Sequence, residues 1–197
     1  MDDEFNDSDT LPAGATPLWA WRNQGSATVS MSNSRVNLNS TEGGAGYVSR
    51  ILEQNCPSAP WEFTMKLGLE FPQFATLGVF GIIVLESSTA KYINFAIQTL
   101  TSPTFVFTRY QMTNATTYNS QQDFTSGPRP LPLYLRVRDD NTNFIFSASS
   151  DGSYFETINT VGRTAFLTGS ADKVGFGITY NPGSSINLNS DWFRRTL

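Results

Sequence analysis

Residues 130–156 read PLPLYLRVRDDNTNFIFSASSDGSYFE, and this alternation, broken twice by turn residues, constrains the chain more than any other stretch. Leu133, Leu135 and Val137 lie on one side of an extended strand and Tyr134, Arg136 and Arg138 on the other, because successive side chains point to opposite faces. Residues 139–143 combine Asp and Asn, which tolerate left-handed backbone and bond to their own main chain, so the strand reverses there into residues 144–149. Asp151-Gly152 supplies a second reversal. The product is a three-stranded antiparallel meander whose first face is apolar and whose second carries arginines and aromatics, a layout that suits a surface in contact with something.

The same period of two recurs along the chain. Residues 18–22, 27–31 and 35–38 are short strands between Asn-Gln-Gly and Asn-Ser turns. Residues 47–52 and 61–70 follow, on either side of a proline-bracketed loop, and in the second Trp61, Phe63, Met65, Leu67 and Leu69 share one face. Residues 77–85 are apolar on both faces, which predicts a central strand covered twice, by the sandwich core and by the chain's own loops or another subunit. Residues 91–98 and 104–112 alternate again and are expected to line one open face, and residues 173–180 and 186–194 close the structure. Residues 41–46 form a glycine-rich loop without the Lys-Ser/Thr ending of a phosphate-binding loop. Residues 71–76 are a candidate for one helical turn, residues 113–130 read as a long polar loop, and residues 161–167 as a short helix packing Phe166 and Leu167 over the core. The expected class is all-β: a two-sheet antiparallel sandwich with one short helix.

At 197 residues the chain fits a single sandwich domain. Aromatics at 13% and charged residues at only 15% exclude a disordered chain. The net charge of −4 is uneven: five of the 17 acids are Asp2, Asp3, Glu4, Asp7 and Asp9, and no Lys or Arg precedes Arg22. Residues 1–17 therefore read as an acidic, Pro/Gly-containing arm, solvated or tethered to a partner, and residues 18–197 as the domain. The near-neutral body offers no basic field for nucleic acid, no apolar run is long enough to span a membrane, and the acidic start is the opposite of a secretory leader, so synthesis in a host cytoplasm is expected.

Several short motifs follow one another in an order that resembles a concanavalin A-like jelly roll. They are the Arg-x-Arg-Asp-Asp strand end at 136–140 with its aromatic strand and Ser-x-Asp-Gly turn, residues 21–27 (WRNQGSA), residues 79–86 with Lys91, residues 161–167 (VGRTAFL) and residues 174–176 (VGF), spanning roughly 18–193. Such domains occur as accessory modules of glycosidases and in bacteriophage virion and tail proteins. The Asn-Gln-Gly opening together with Val-Gly-Arg-x-x-Phe-Leu is more like the phage version.

Catalytic chemistry is hard to place on this sequence. Glycoside hydrolysis needs two carboxyl groups flanking one bond, and the Glu-x-Asp-x-x-Glu strand of laminarinase-type enzymes of this fold has no match here. Glu62 and Glu70 sit about 26 Å apart along a strand at ~3.3 Å per residue. Histidine is absent, removing the usual base for a serine or cysteine nucleophile, and Cys56 is the only thiol. Asp139, Asp140, Asn141 and Asn143 bring several hard oxygens together, but their plainer role is the turn itself. No metal or other cofactor is expected.

The outward set Tyr92, Asn94, Tyr110, Tyr134, Arg136 and Arg138 remains as a candidate binding face. Rings could stack on sugars while amides and guanidiniums bond hydroxyls, or the same groups could meet a neighbouring subunit or simply be solvated. The expectation is a non-enzymatic structural or adhesion protein of a phage-like virion, a capsid decoration or tail component. Its expected partners are a capsid or tail subunit, a cell-surface glycan and further copies of itself. The alternative is a carbohydrate-binding module assisting a glycoside hydrolase.

Overall fold

The computed structural model describes residues 2–42, 46–67, 78–99, 105–124, 133–180 and 184–197. Fourteen strands follow one another: β1 Ala20–Arg22, β2 Thr28–Met31, β3 Val36–Glu42, β4 Val48–Asn55, β5 Trp61–Leu67, β6 Gly78–Glu86, β7 Lys91–Thr99, β8 Phe105–Asn114, β9 Thr117–Phe124, β10 Leu133–Asp139, β11 Asn143–Ser149, β12 Glu156–Gly162, β13 Lys173–Tyr180 and β14 Ser184–Arg195. They form two antiparallel seven-stranded sheets. The first has the order β1-β4-β13-β6-β7-β8-β9 and the second β12-β11-β10-β5-β14-β3-β2. This is the two-sheet jelly-roll sandwich that the alternation and motif order predict.

The meander is present as β10-β11-β12 in the expected register, with Leu135 opposite Ala148 and Arg136 opposite Ser147. On the other side β10 pairs with β5, so that Leu135, Met65 and Phe193 lie in one row facing inward. Against them stand Phe80, Ile82 and Val84 of β6, Phe95 of β7 and Phe176 of β13, all essentially inaccessible to solvent. Phe95 and Phe146 stack across the gap at 5.0 Å between ring centroids.

The first sheet is strongly curled. Ile51, Gly177, Gly81 and Ala96 pair in one row across β4, β13, β6 and β7. A Cβ on Gly81 would lie 2.0 Å from the Phe95 carbonyl oxygen and one on Gly177 2.4 Å from that of Arg50. Neighbouring strands come closer there than any side chain allows, and a glycine crease of this kind lets a sheet bend sharply. The far corner then folds back: the Ser49 N–H at the start of β4 donates to the Ala115 carbonyl after β8 at 2.9 Å, although three strands lie between β4 and β8.

Inside the curl Ile51, Val79, Ile83, Leu85, Tyr92, Ala96, Tyr110 and Met112 form a second apolar cluster. Both faces of β6 are thus buried by residues of one chain. The apolar excess that pointed to a homo-oligomer is accounted for without a second copy.

Two local expectations are corrected. Residues 113–124 are not loop, because β8 continues to Asn114 and β9 returns alongside it, with polar side chains suited to an exposed edge strand. Residues 161–167 are not helical: β12 runs to Gly162 and turns follow, since Val161 pairs with Phe144. The one short helical element among the described residues is a 3-10 turn at Ser8–Thr10, started by the Asp7 side chain accepting from the Asp9 N–H. The candidate turn at 71–76 lies outside the described residues, as do 43–45 of the glycine-rich loop.

The acidic arm is the third correction, since it is built into the sandwich. Asp3 and Phe193 exchange backbone hydrogen bonds at 2.9 Å each, Phe5 is fully buried in the main core, and Glu4 pairs with Arg194. An apolar residue every few positions (Phe5, Leu11) is enough to anchor a segment most of whose acids find partners.

Candidate binding face on the second sheet

The outer side of the second sheet carries half of the anticipated site. Three rows cross β10, β5 and β14: Tyr134, Lys66 and Trp192; Arg136, Thr64 and Arg194; Arg138, Glu62 and Thr196. Tyr134 and Trp192 lean together over Lys66 to 5.8 Å between centroids. The Arg194 guanidinium lies 4.4 Å from the centre of the Trp192 ring, and that of Arg136 lies 3.4 Å from the centre of Phe155. Arg136 also donates to Thr64 Oγ1 at 3.1 Å and pairs with Glu62 at 3.3 Å.

Trp192, which alternation alone does not place, is turned outward by a bulge. The register shifts between Ser190 and Trp192, so Leu188 and Phe193 both face the core while Trp192 faces out. An extra residue in one strand re-aims the side chains after it. Phe155 and Tyr154 arrive by a different device. Asp151 accepts hydrogen bonds from the Ser153 and Tyr154 N–H groups at 2.8 and 3.0 Å and from Ser149 Oγ at 2.9 Å, and Gly152 takes φ +76°. A Cβ on Gly152 would meet the Tyr134 ring at 3.0 Å, so the turn is laid directly on the face. Tyr154 projects from it, 79% exposed.

The other half of the anticipated site is elsewhere. Tyr92 and Asn94 are on β7 and Tyr110 on β8, in the first sheet, and they are at most 1% exposed inside the curl. They do share one side of β7 and β8, but that side is closed and not open, and no single face unites all six residues. Tyr92 Oη donates to Ser49 Oγ, which bonds Thr179 Oγ1 at 2.8 Å, and Tyr47 stacks on Tyr118 at 5.0 Å and meets Tyr110 edge-on. Burial pushes the Tyr92 and Tyr110 hydroxyls well above their ordinary range, so both are neutral fillers and not acids. The Asn94 carboxamide, flanked in register by Ile83 and Tyr110, has no hydrogen-bond partner at either atom.

The carboxylates of Asp139, Asp140, Glu53 and Glu86 are occupied in structural work. Asp139 accepts from the Asn141 N–H at 2.9 Å and lies 3.1 Å from Arg163 Nε without the alignment of a hydrogen bond, while Asp140 accepts from the Thr142 and Asn143 N–H groups. Burial raises the Asp139 carboxyl above its ordinary range, against the Asn141 N–H and Arg163. Glu53 forks onto Arg22, and Glu86 accepts from Thr89 and Thr168. Burial pushes the Cys56 thiol up, away from the reactive thiolate.

No family model matches the sequence, and no curated protein is similar to it. Solved structures match the fold. A functionally unknown protein from Saccharomyces cerevisiae superposes with a TM-score of 0.64 at 13% identity, over 91% of this chain and 97% of that one. The CBM2 module of an evolved Dit from Lactobacillus casei BL23 phage J-1 gives 0.62 at 14% identity, over 99% of this chain and 94% of the module. The GH43 protein BlXynB from Bacillus licheniformis gives 0.67 at 16% identity, over 98% of this chain but only 38% of that protein. The chain spans well under half the length of that protein. At these identities the likeness is one of fold.

Proposed function

We propose that this chain is a non-catalytic attachment module of a phage-like particle, in the capsid or tail, which holds a cell-surface glycan on the outer face of its second sheet. The observation that carries the reading is the array of Tyr134, Trp192 and Phe155 rings interleaved with Arg136 and Arg194 on one rigid, half-exposed sheet face. Aromatic planes stack on the C–H surfaces of sugars while guanidiniums bond hydroxyls or acidic substituents. A sheet holds such groups more rigidly than a loop does. The engagement of Glu53, Glu86, Asp139 and Asp140 in hydrogen bonds that hold strand ends and turns supports a role without catalysis. The likeness to a phage Dit module named as carbohydrate-binding supports the setting.

The test is titration of the protein with purified host cell-wall polysaccharide, followed by tryptophan fluorescence, for the wild type, Trp192→Ala and Arg136→Ala. Binding that both substitutions weaken about tenfold or more, each worth ~1.4 kcal/mol or above, supports the reading. Equal binding by all three proteins removes this face from consideration. Mass spectrometry of purified particles from the source checks the virion setting separately.

A second reading, a carbohydrate-binding module serving a glycoside hydrolase, is favoured by the likeness to part of a GH43 protein. Retention on plant polysaccharides in affinity electrophoresis, with none on cell-wall glycans, would select it.

A further inference from the structure

The two sheets have four edges, and three of them are guarded. β1 is only three residues long, the β8–β9 pair is bulged at two places, and β12 meets β11 across a bulge at Phe146/Ser147. Short strands and bulges are the usual devices that stop a sheet from pairing with a foreign chain. β2 has neither. It pairs with β3 in unbroken register from Thr28 to Met31 and carries no charge and no proline.

The free groups of this edge are identifiable. Ser32 and Arg35 exchange both backbone hydrogen bonds, at 3.0 and 3.1 Å, across a turn in which Asn33 and Ser34 take positive φ. Hydrogen-bonded pairs alternate in an antiparallel ladder, so Ser30–Asn37 and Thr28–Asn39 are also bonded pairs. The N–H and C=O of Val29 and Met31 therefore point away from β3.

Beside this edge is a cleft of about 730 Å³, lined by all four residues of β2, by Ser8, Asp9 and residues 11–15 of the arm, and by Trp21 and Gln24. The arm's part of the lining is prebuilt. Gly14 N–H donates to the Leu11 carbonyl at 2.8 Å, Thr16 N–H to that of Asp9 at 3.1 Å and Leu18 N–H to that of Thr10 at 2.9 Å. Gly14 packs where a Cβ would collide with the Asp9 backbone. The cleft's one ionic side chain is the exposed carboxylate of Asp9, with Asp7 beside it in the chain.

We propose that β2 and the arm form a strand-acceptor groove that takes an extended, basic polypeptide segment of a partner protein as an added edge strand of the second sheet. The backbone of the guest meets Val29 and Met31, Trp21 covers its apolar side chain, and a Lys or Arg faces Asp9. The four residues of β2 give a contact about 13 Å long at ~3.3 Å per residue, enough for one short strand.

The experiment measures amide hydrogen exchange at Val29 and Met31 in the full chain with three synthetic peptides. These are acetyl-Lys-Thr-Val-Thr-Val-Thr-Lys-amide and the same sequence with both Lys replaced by Glu or by Ser. Slowing of both amides by about tenfold at saturation with the Lys peptide, weaker with Ser and absent with Glu, is expected; no slowing with any of them overturns the proposal. Val29→Pro removes an outward N–H that the fold does not use, a position where an edge strand tolerates proline. It should fold, by circular dichroism, and lose the Lys peptide. A folded Val29→Pro that binds as well as wild type overturns the proposal, and if the variant does not fold the wild-type exchange decides alone. A wild-type dimer in light scattering that Val29→Pro converts to monomer would assign the edge to a second copy and overturn the peptide proposal.

Discussion

Trp19 donates a 2.7 Å hydrogen bond from its indole Nε1 to Oδ2 of Asp3, joining the acidic arm to a ring wedged between the two sheets. Trp19 meets Phe176 of the first sheet at 4.8 Å and Phe193 of the second at 5.3 Å. The other Asp3 oxygen accepts from the Phe5 N–H at 2.8 Å, and Phe5 itself is fully buried at φ +50°. Removing residues 1–10 is therefore expected to destabilise the domain. Phe5→Ala should cost about 3–5 kcal/mol, and Asp3→Ala about 1–3 kcal/mol by leaving a buried indole N–H unpaired. Urea denaturation followed by tryptophan fluorescence measures each. An unchanged midpoint after the deletion would show that the arm is a mere tether.

On β10, Leu135 and Arg136 should fail differently. Leu135 is fully buried, and its truncation to alanine is expected to cost about 2–5 kcal/mol. Arg136 is partly exposed and holds Phe155, Thr64 and Glu62. Its removal is expected to cost about 1–2 kcal/mol, from an exposed ring contact of ~0.5–1 kcal/mol and an ion pair of similar worth. Thermal unfolding of both variants checks the order.

Stability should fall in acid through Glu86. Burial opposes its ionisation, yet the Thr89 hydroxyl and the Thr168 N–H and hydroxyl together hold the carboxyl below its ordinary value of 4.5. A folded-state value below the unfolded one contributes stability that is present above 4.5 and lost as pH falls through the folded value. Asp140 and Asp151, held down by turn N–H groups, act in the same direction, and the raised Asp139 acts in the opposite one. Glu86→Gln should be less stable than wild type at neutral pH, and the two should converge below 4.5. Denaturation midpoints across the acid range test this.

The crease of the first sheet should not tolerate a methyl group. Gly81→Ala would place a Cβ 2.0 Å from the Phe95 carbonyl oxygen, and Gly177→Ala one 2.4 Å from that of Arg50. Each is expected to cost about 3 kcal/mol or more, because the clash is with backbone and not with a movable side chain. Soluble expression and urea midpoints give the answer.

Inside the curl, Asn94→Leu should be neutral or stabilise the fold by up to about 1 kcal/mol, since it exchanges a buried amide without partners for an apolar group of similar shape. A loss above that size would mean the amide is bonded in solution.

Most strands and the meander register were legible because period-two alternation maps directly onto the two faces of a strand; β9 was not, because it is polar on both sides. Leu133, Leu135 and Val137 point to the core, and Tyr134, Arg136 and Arg138 away from it, as read. What alternation cannot convey is which sheet a strand joins, or whether its second face meets water. Tyr92, Asn94 and Tyr110 alternate like a surface set and are buried, because a glycine row lets their sheet close over itself. That closure depends on pairings between strands far apart in sequence. Trp192 was hidden by a one-residue bulge that reverses parity midway along β14. The arm misled through its charge: composition reports five acids, whereas Phe5, Trp19 and Phe193 determine that the segment is anchored in the core. Local sequence thus determined the extended backbone, the turns and the core side of each regular strand, all of which depend on near neighbours. Only tertiary structure decided which second faces stay open, because that depends on curvature and on long-range closure between parts of the chain that no local pattern connects.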